Sequence, residues 1–353
     1  MAKIISNINN NNNQTLTFNI NNSDNNFKIS LSNALRRTII NDINLYAIDS
    51  NKVEIIENNG TIDNELLKSR LSLIPINNEL IDINYDNIII SCSIKNSEDS
   101  IINIYPKDFN IVERDEATDI EKKIEILDIF KNGYDNILFA KLKPNQSINF
   151  LAKLSSNNAH HGGAVYIPTS VCIYTFKVDE NKCNELTKDM NEIEKKSFST
   201  LERKRHYELT NKLEPNTFEF KIESVGQYSN MNILKRGIDR LSDRLIRFNN
   251  NIISDNSDVI EFKNYEGNIN AIDLILKNEN DTLGNLISQY LSEENIFFCG
   301  YYVQHPLIEE LIIRISISNK NISNNNEKNV KQLINKVVNK ILKHLNQLLD
   351  ELK

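Results

Sequence analysis

The feature that most limits how this chain can fold is an apolar seam near its far end. Val330, Leu333, Ile334, Val337, Ile341, Leu345, Leu348 and Leu352 recur at helical spacing, with Lys331, Lys336, Lys340 and Lys343 outside the stripe. A helix over 327–352 would run about 39 Å at 1.5 Å per residue. A stripe that long has to be covered by another helix. The chain offers a partner: Leu234, Ile238, Leu241, Leu245 and Phe248 step by four and three, predicting a second amphipathic helix with a heptad-like seam. Gly237 within it costs about 1 kcal/mol relative to Ala, which a close helix crossing would explain.

Strand patterns surround these helices. Residues 14–31 alternate around Leu16, Phe18 and Ile20, then Phe27, Ile29 and Leu31, which predicts a hairpin turning at 21–26. Leu31, Leu35, Ile39 and Ile43 then recur every four residues, so a helix follows, with Arg36, Arg37 and Asn41 off its apolar stripe. From about 48 to 215, short β-rich runs at 53–56, 88–94, 101–105, 137–142 and 171–176 alternate with charged loops. The charged segment 184–212 reads as helical, either as a solvated face or as a docking surface. Strand alternation returns at 218–226. Beyond a polar, turn-rich stretch at 249–258, the order is strands 259–262 and 271–276, a helix at 282–292, strands 297–303 and 311–318, an Asn-rich loop and the terminal helix.

Composition excludes several function classes. At 353 residues the chain has room for two or three domains. Its formal net charge of −7 makes it a poor primary reader of nucleic acid, which relies on clustered Lys and Arg. No apolar stretch has the form of a signal peptide or approaches the ~18 residues of a membrane span, so a soluble intracellular protein is expected. Asn makes up about a sixth of the chain and Trp is absent. Asn recurs inside apolar-periodic segments, which reads as the codon footprint of an AT-rich genome; the longer runs at 9–13, 249–251 and 324–326 fit loops. Cys92, Cys172, Cys183 and Cys299 contain no Cys-x-x-Cys pair and read as partly buried thiols. His160 and His161 are adjacent, and neighbouring side chains diverge on any regular element, so no ligand spacing follows.

Two sets of motifs carry the functional information. The first is Asn280-Asp281-Thr282-Leu283-Gly284-Asn285 followed by Phe297-Phe298-Cys299-Gly300-Tyr301-Tyr302-Val303-Gln304-His305-Pro306-Leu307. It resembles the small α-like subunit of eukaryotic and archaeal RNA polymerases, whose pattern reads roughly D-H-T-L-G-N, then F-x-G-Y-x-x-P-H-P-L. The departures are Asn280-Asp281 for Asp-His, Cys299 for a small residue and Gln304 for Pro. The second set is Ser32-Asn33-Ala34-Leu35-Arg36-Arg37-Thr38-Ile39 together with Glu65-Leu66-Leu67-Lys68-Ser69-Arg70-Leu71-Ser72-Leu73-Ile74-Pro75-Ile76. It resembles the larger α-like subunit. An internal echo accompanies them: Leu31-Ser32-Asn33 and Leu283-Gly284-Asn285 each open a helix after paired strands.

The resemblance implies an α+β chain with two α-like dimerisation modules, each an antiparallel sheet with amphipathic helices, and a mostly β insertion in the first. The expected boundaries are 1–47 with 216–248 for the discontinuous first module, 48–215 for the insertion, 249–258 for a linker and 259–353 for the second module. Leu35, Ile39, Leu241, Leu245, Thr282, Leu283, Gly284, Asn285, His305, Pro306, Ile341 and Leu345 are expected to join the two modules within the chain. Thr282 and Asp281 are N-cap candidates. His305 reads as a packed histidine in a turn. Arg36 and Arg37, with Asn33 and Arg70, are expected to face a large catalytic subunit, where guanidiniums can pair with carboxylates.

The implied partners are two large catalytic polymerase subunits and small polymerase subunits, with no membrane, no sequence-specific DNA contact and no homo-oligomer. No catalytic residue is expected, because no Asp-x-Asp-type carboxylate cluster sits where nucleotidyl transfer could use it. The zinc or iron–sulfur site of some relatives is expected to be lost, since only Cys92 falls in the corresponding region. Both halves on one polypeptide, with this composition, suggest a large DNA virus, acting in a cytoplasmic factory or virion. An AT-rich eukaryote, with a nuclear site, is the other source. A stand-alone single-strand nucleic-acid module and an unrelated homodimeric scaffold are the rival readings.

Overall fold

The computed structural model describes residues 4–11, 15–22, 27–81, 83–115, 120–131, 133–254, 258–267, 270–305, 307–308, 310–317 and 327–352. Strands β1 (Ile5–Asn11) and β2 (Thr15–Asn21) form a hairpin, and helix α1 (Ile29–Asn41) follows. A long excursion contains β3 (Leu45–Asn58), α2 (Asn64–Ser72), β4 (Ile88–Lys95), β5 (Ile102–Ile104), β6 (Asn110–Asp115), β7 (Ile120–Lys123), α3 (Ile126–Ile129), β8 (Ala140–Leu142) and β9 (Ser147–Asn157). Then come α4 (Ala159–Gly162), β10 (Thr169–Phe176), α5 (Glu180–Leu186), α6 (Glu192–Leu201), β11 (Thr217–Ser224) and α7 (Asn230–Ile253). The remainder is β12 (Ile260–Asn264), β13 (Ile272–Lys277), α8 (Asp281–Leu291), β14 (Phe298–Val303), β15 (Glu310–Ser316) and α9 (Glu327–Glu351).

Two sheets of identical plan emerge from this order. The first runs β1-β2-β11-β10 and the second β12-β13-β15-β14, each antiparallel throughout. With the excursion and α4 to α6 set aside, both modules read strand-strand-helix-strand-strand-helix: β1-β2-α1-β10-β11-α7 and β12-β13-α8-β14-β15-α9. The alternating apolar residues of the strands explain the shared inner layer. Leu16, Phe18 and Ile20 lie opposite Ile222, Phe220 and Phe218, all buried, and the Phe18 and Phe220 rings stack 5.2 Å apart. Ile272, Leu274 and Leu276 face Ile315, Ile313 and Leu311 in the same way. One continuous core includes both inner faces and the helices α1, α7, α8 and α9.

The excursion has a core of its own. Its sheet runs β3-β9-β4-β6-β7, with β5 paired to β8 beside it. Phe109 packs edge-on against both Phe139 and Phe150. Glu79, from this unit, accepts hydrogen bonds from Ser229 N at 2.8 Å and Asn232 Nδ2 at 2.6 Å. It thereby caps α7, whose own N-cap residue makes no side-chain cap.

Several expectations are corrected here. The hairpin pairs 5–11 with 15–21, and Phe27 and Leu31 enter or flank helix α1 instead of a strand. Phe27, Leu31 and Leu35 are four apart, so helical spacing is satisfied by the same residues that suggested alternation. Asn9 to Asn11 lie in edge strand β1, where exposed side chains and a paired backbone suffice. Asn249 to Asn251 belong to α7, because buried Phe248 and Ile252 carry its seam past them. Residues 249–253 are therefore helix, not linker; the run 324–326 lies outside the described residues. Strand β10 pairs with β11, so residues 169–176 complete the first module's sheet and do not belong to the insertion.

Candidate functional site

The layer where the two modules meet is built by four helices. Helix α7 lies against α1 and α9, and α8 lies against α1 and α9. Leu35 and Ile39 of α1, Leu241 and Leu245 of α7, Leu283 of α8, and Ile341 and Leu345 of α9 are all buried in one core. A fully buried aliphatic side chain contributes about 1.5–3 kcal/mol relative to exposure, so this layer holds much of the chain's stability. Two glycines set how closely elements approach. A Cβ on Gly237 would stand 2.4 Å from Ile39 Cγ1, so α1 crosses α7 at this point. A Cβ on Gly284 would meet both the Tyr301 ring and Leu311 Cδ1 at 2.7 Å. Thr282 is buried and Asn285 half-buried.

Polar contacts clamp the rim of this layer. Arg244 of α7 donates from Nε to Glu279 at 3.0 Å, also from Nη2 to the same carboxylate, and to Asn280 Oδ1 at 3.0 Å. Its Nη1 lies 3.5 Å from Asp42, so one guanidinium ties α7 to the end of α1 and to the turn before α8. Asn280, and not Thr282 or Asp281, is the N-cap of α8, its side chain accepting from Thr282 N at 3.0 Å. Lys28, with only 6% of its side chain exposed, bonds Gln289 O at 2.6 Å, pairs with Glu293 at 3.2 Å and lies over the Tyr290 ring. Glu293 also takes Lys340 at 3.0 Å. Burial raises the Glu293 carboxyl, but the Lys340 hydrogen bond and the two ammonium charges outweigh it and hold it below its ordinary value. At the far end, the Glu351 carboxylate accepts from Ile4 N and Ile5 N at 2.9 and 2.7 Å, tying α9 to the start of β1. Sequence reasoning missed Arg244, Lys28 and Glu351; only Glu279 had a signal, its place beside the Thr-Leu-Gly-Asn motif.

The polar candidates behave differently. Arg36 and Arg37 are half-buried on α1. Arg36 donates from Nε and Nη2 to Asn33 Oδ1 at 3.1 and 2.9 Å, so Asn33 orients it. Its charge opposes the upward shift that burial gives Tyr174 on β10. Arg37 similarly acts on Tyr301 of β14, where burial also dominates. The charges of the adjacent arginines are thus felt on corresponding edge strands of the two modules, and among the described residues Arg37 makes no salt bridge. Arg70 does not join them. It sits on α2 and donates to the carbonyls of Phe139 and Leu138 at 3.1 and 2.7 Å, within the excursion. His305 is exposed in the loop after β14 and accepts from Leu307 N at 3.1 Å, so it is not part of the helical layer. The resemblance of the His305-Pro306-Leu307 motif placed it there, and spacing alone cannot assign a neighbour to such a corner. Pro306 lies outside the described residues.

Among the described residues, the donors needed for a structural zinc or iron–sulfur cluster do not come together. Cys92 is buried on strand β4 of the excursion's sheet, and burial pushes its thiol up to about 12, the reverse of what a thiolate ligand needs. Cys172 and Cys299, on strands of the two modules, are likewise raised to about 12 by burial. Among the described residues no three His, Cys, Asp or Glu side chains are grouped to hold an ion. Among the same residues no helix is long and apolar enough to cross a membrane.

Comparison with known proteins adds family evidence on both modules. Residues 24–245 match one model described as the RNA polymerase Rpb3/Rpb11 dimerisation domain, and residues 271–351 match a second model of the same description. The chain is 36% identical over 59 residues to the probable DNA-directed RNA polymerases I and III subunit RPAC2 of Caenorhabditis briggsae, covering 16% of this chain and 41% of the relative. The corresponding protein of Caenorhabditis elegans is 34% identical over 59 residues, with the same coverage. The match thus spans about two fifths of each relative's length. With one match spanning most of the chain and a second on the repeated plan, the chain belongs to the α-like RNA polymerase subunits built on the Rpb3/Rpb11 dimerisation domain, and it carries that domain twice.

Proposed function

We propose that this chain is a non-catalytic subunit of a multisubunit DNA-dependent RNA polymerase, an intramolecular α-like heterodimer that forms the platform on which the two large catalytic subunits assemble. The observation that carries this reading is the repeated strand-strand-helix-strand-strand-helix plan, matched in both copies to the dimerisation domain and closed across α1, α7, α8 and α9. Joining two such modules in one chain turns their association into an intramolecular event at high effective concentration. The chain would then be a monomer by itself, hold no metal and leave nucleotidyl transfer to the large subunits. Arg36 and Arg37, oriented by Asn33, are the residues offered to a large subunit. Small polymerase subunits would be further partners, and the site of action would be a viral factory, a virion or a nucleus according to source.

The test is a pull-down with Arg36→Glu/Arg37→Glu. Both side chains lie off the buried stripe, so the variant should melt like the parent. Across an interface, reversal exchanges attraction for repulsion and costs several kcal/mol. The expected result is a folded monomer that no longer recovers the large subunits. An active polymerase assembled on the doubly reversed chain would overturn the assignment of this contact. Recovery of no polymerase subunit by the parent chain would overturn the function itself.

A further inference from the structure

A half-open groove of about 620 Å³ lies where the first and second modules meet, beside helix α4. Its walls are the end of α1, the turn entering α4, one face of α7 and the turn between β13 and α8. Spacing of four and three residues brings Arg240, Arg244 and Arg247 to the same face of α7, and Lys277 adds a fourth positive charge from the opposite wall. Among the described residues, the carboxylates in the lining are Asp42 and Glu279, and Arg244 already engages both. Arg240 is half-buried and Arg247 exposed, and neither makes a salt bridge among the described residues. His160 and His161 line the same groove. Among the described residues the groove therefore carries a positive surplus, against the net charge of −7 of the whole chain.

The floor differs from the rim. Phe248, Ile260 and Leu276 reach the groove but are otherwise buried. A charged rim above an apolar floor suits a ligand with carboxylates beside an aliphatic or aromatic side chain. Guanidinium forks match planar carboxylates through paired hydrogen bonds. A nucleic-acid backbone would need a continuous basic track, whereas this groove is short and has two carboxylates in its wall. We infer that the groove receives an acidic polypeptide segment of a partner subunit, its carboxylates meeting Arg240 and Arg247 and an apolar neighbour resting on Phe248. This contact rests on the reading of the chain as a polymerase subunit and is separate from the one assigned to Arg36 and Arg37.

The inference is tested on the full chain with a fluorescein-labelled peptide of alternating Glu and Leu, measured by anisotropy. Arg240→Glu/Arg247→Glu should weaken binding at least about tenfold, as expected for loss of two charge-assisted contacts and gain of repulsion. Arg240→Gln/Arg247→Gln should weaken it less, while Arg36→Glu/Arg37→Glu should leave it unchanged. Melting temperatures should stay close to the parent's, because among the described residues neither arginine takes part in an ion pair. Equal peptide affinity in the parent and the reversed variant would overturn the proposal. So would displacement of the peptide by inorganic phosphate or a short single-stranded oligonucleotide at lower concentration than by unlabelled peptide, which would mark a phosphate site. Peptide binding is read on the isolated chain and the polymerase reading by recovery of large subunits, so each can fail without the other.

Discussion

Ile39 of α1 occupies the space that a side chain on Gly237 of α7 would need: a Cβ built there comes within 2.4 Å of Ile39 Cγ1. The closest approach of the two helices is therefore fixed by a missing methyl group. Replacing Gly237 by Ala would gain about 1 kcal/mol of helix propensity. Overpacking costs about 1–3 kcal/mol in a close-packed layer, so the net effect should be loss of stability. Chemical denaturation of Gly237→Ala should show it, and the Gly237→Ala/Ile39→Ala double variant should be less unstable than the sum of the singles. A Gly237→Ala variant more stable than the parent would mean that α1 can move aside.

The terminal helix should be integral to the fold. Ile341 and Leu345 have no exposed surface. Truncating either to Ala should cost about 2–5 kcal/mol, depending on how far the cavity collapses. Thermal melts unchanged by both substitutions would contradict the packing of α9 against α7.

Arg244 and Glu279 should be coupled across the module boundary. Both are mostly buried, with 14% and 19% of their side chains exposed. A double-mutant cycle using Arg244→Ala and Glu279→Ala should return an interaction of about 1–3 kcal/mol. A coupling near zero would show that solvent replaces the pair without loss.

Acid should loosen the molecule at two identifiable joints. Burial raises Glu293 and Glu79, but hydrogen bonds to them and neighbouring positive charge win, leaving each below the ordinary carboxyl value of 4.5. Between the folded and unfolded pKa, the unfolded chain binds more protons. The stabilisation is therefore complete above about pH 5 and is lost as pH falls through the folded pKa. Glu293→Gln and Glu79→Gln should each show a flatter fall in stability between about pH 5 and pH 3 than the parent. An identical acid limb in both variants would assign acid sensitivity elsewhere.

Metal analysis of the purified chain should find neither zinc nor iron at one atom per chain. The reason is the donor set: Cys92, on strand β4, sits in an apolar core, and its burial disfavours the thiolate. One bound metal per chain would redirect attention to His160, His161, Cys172 and Cys183.

Periodicity alone was enough to specify the strongly amphipathic elements. The α7 and α9 seams and the strands of the second module were legible because each buries one face, and burial of one face imposes spacing of two or of three and four. The motif around Thr282 to Asn285 likewise carried its helix start to within one residue. Spacing could not separate a strand from a helix entry where Phe27, Leu31 and Leu35 satisfy both. Nor could it show that Asn-rich residues 5–11 form an edge strand, since beyond buried Ile5 that strand is held by backbone pairing with β2. Assignment of β10 to the first sheet depended on a partner far along the chain.

The site divides along the same line. Buried Leu35, Ile39, Leu241 and Ile341 announce themselves by period, whereas Arg244, Lys28 and Glu351 acquire partners only when distant segments meet. Charge pairs between residues tens to hundreds of positions apart leave no local pattern. Arg70 and His305 show the converse: a motif can name a residue, but only the packed chain decides whether it faces a carbonyl of its own fold, a solvent-exposed loop or a partner. Sequence thus determined which faces must be buried, because water penalises exposed apolar stripes wherever they fold. The tertiary structure decided which polar groups meet at their edges, because those contacts depend on distance in space and not on distance along the chain.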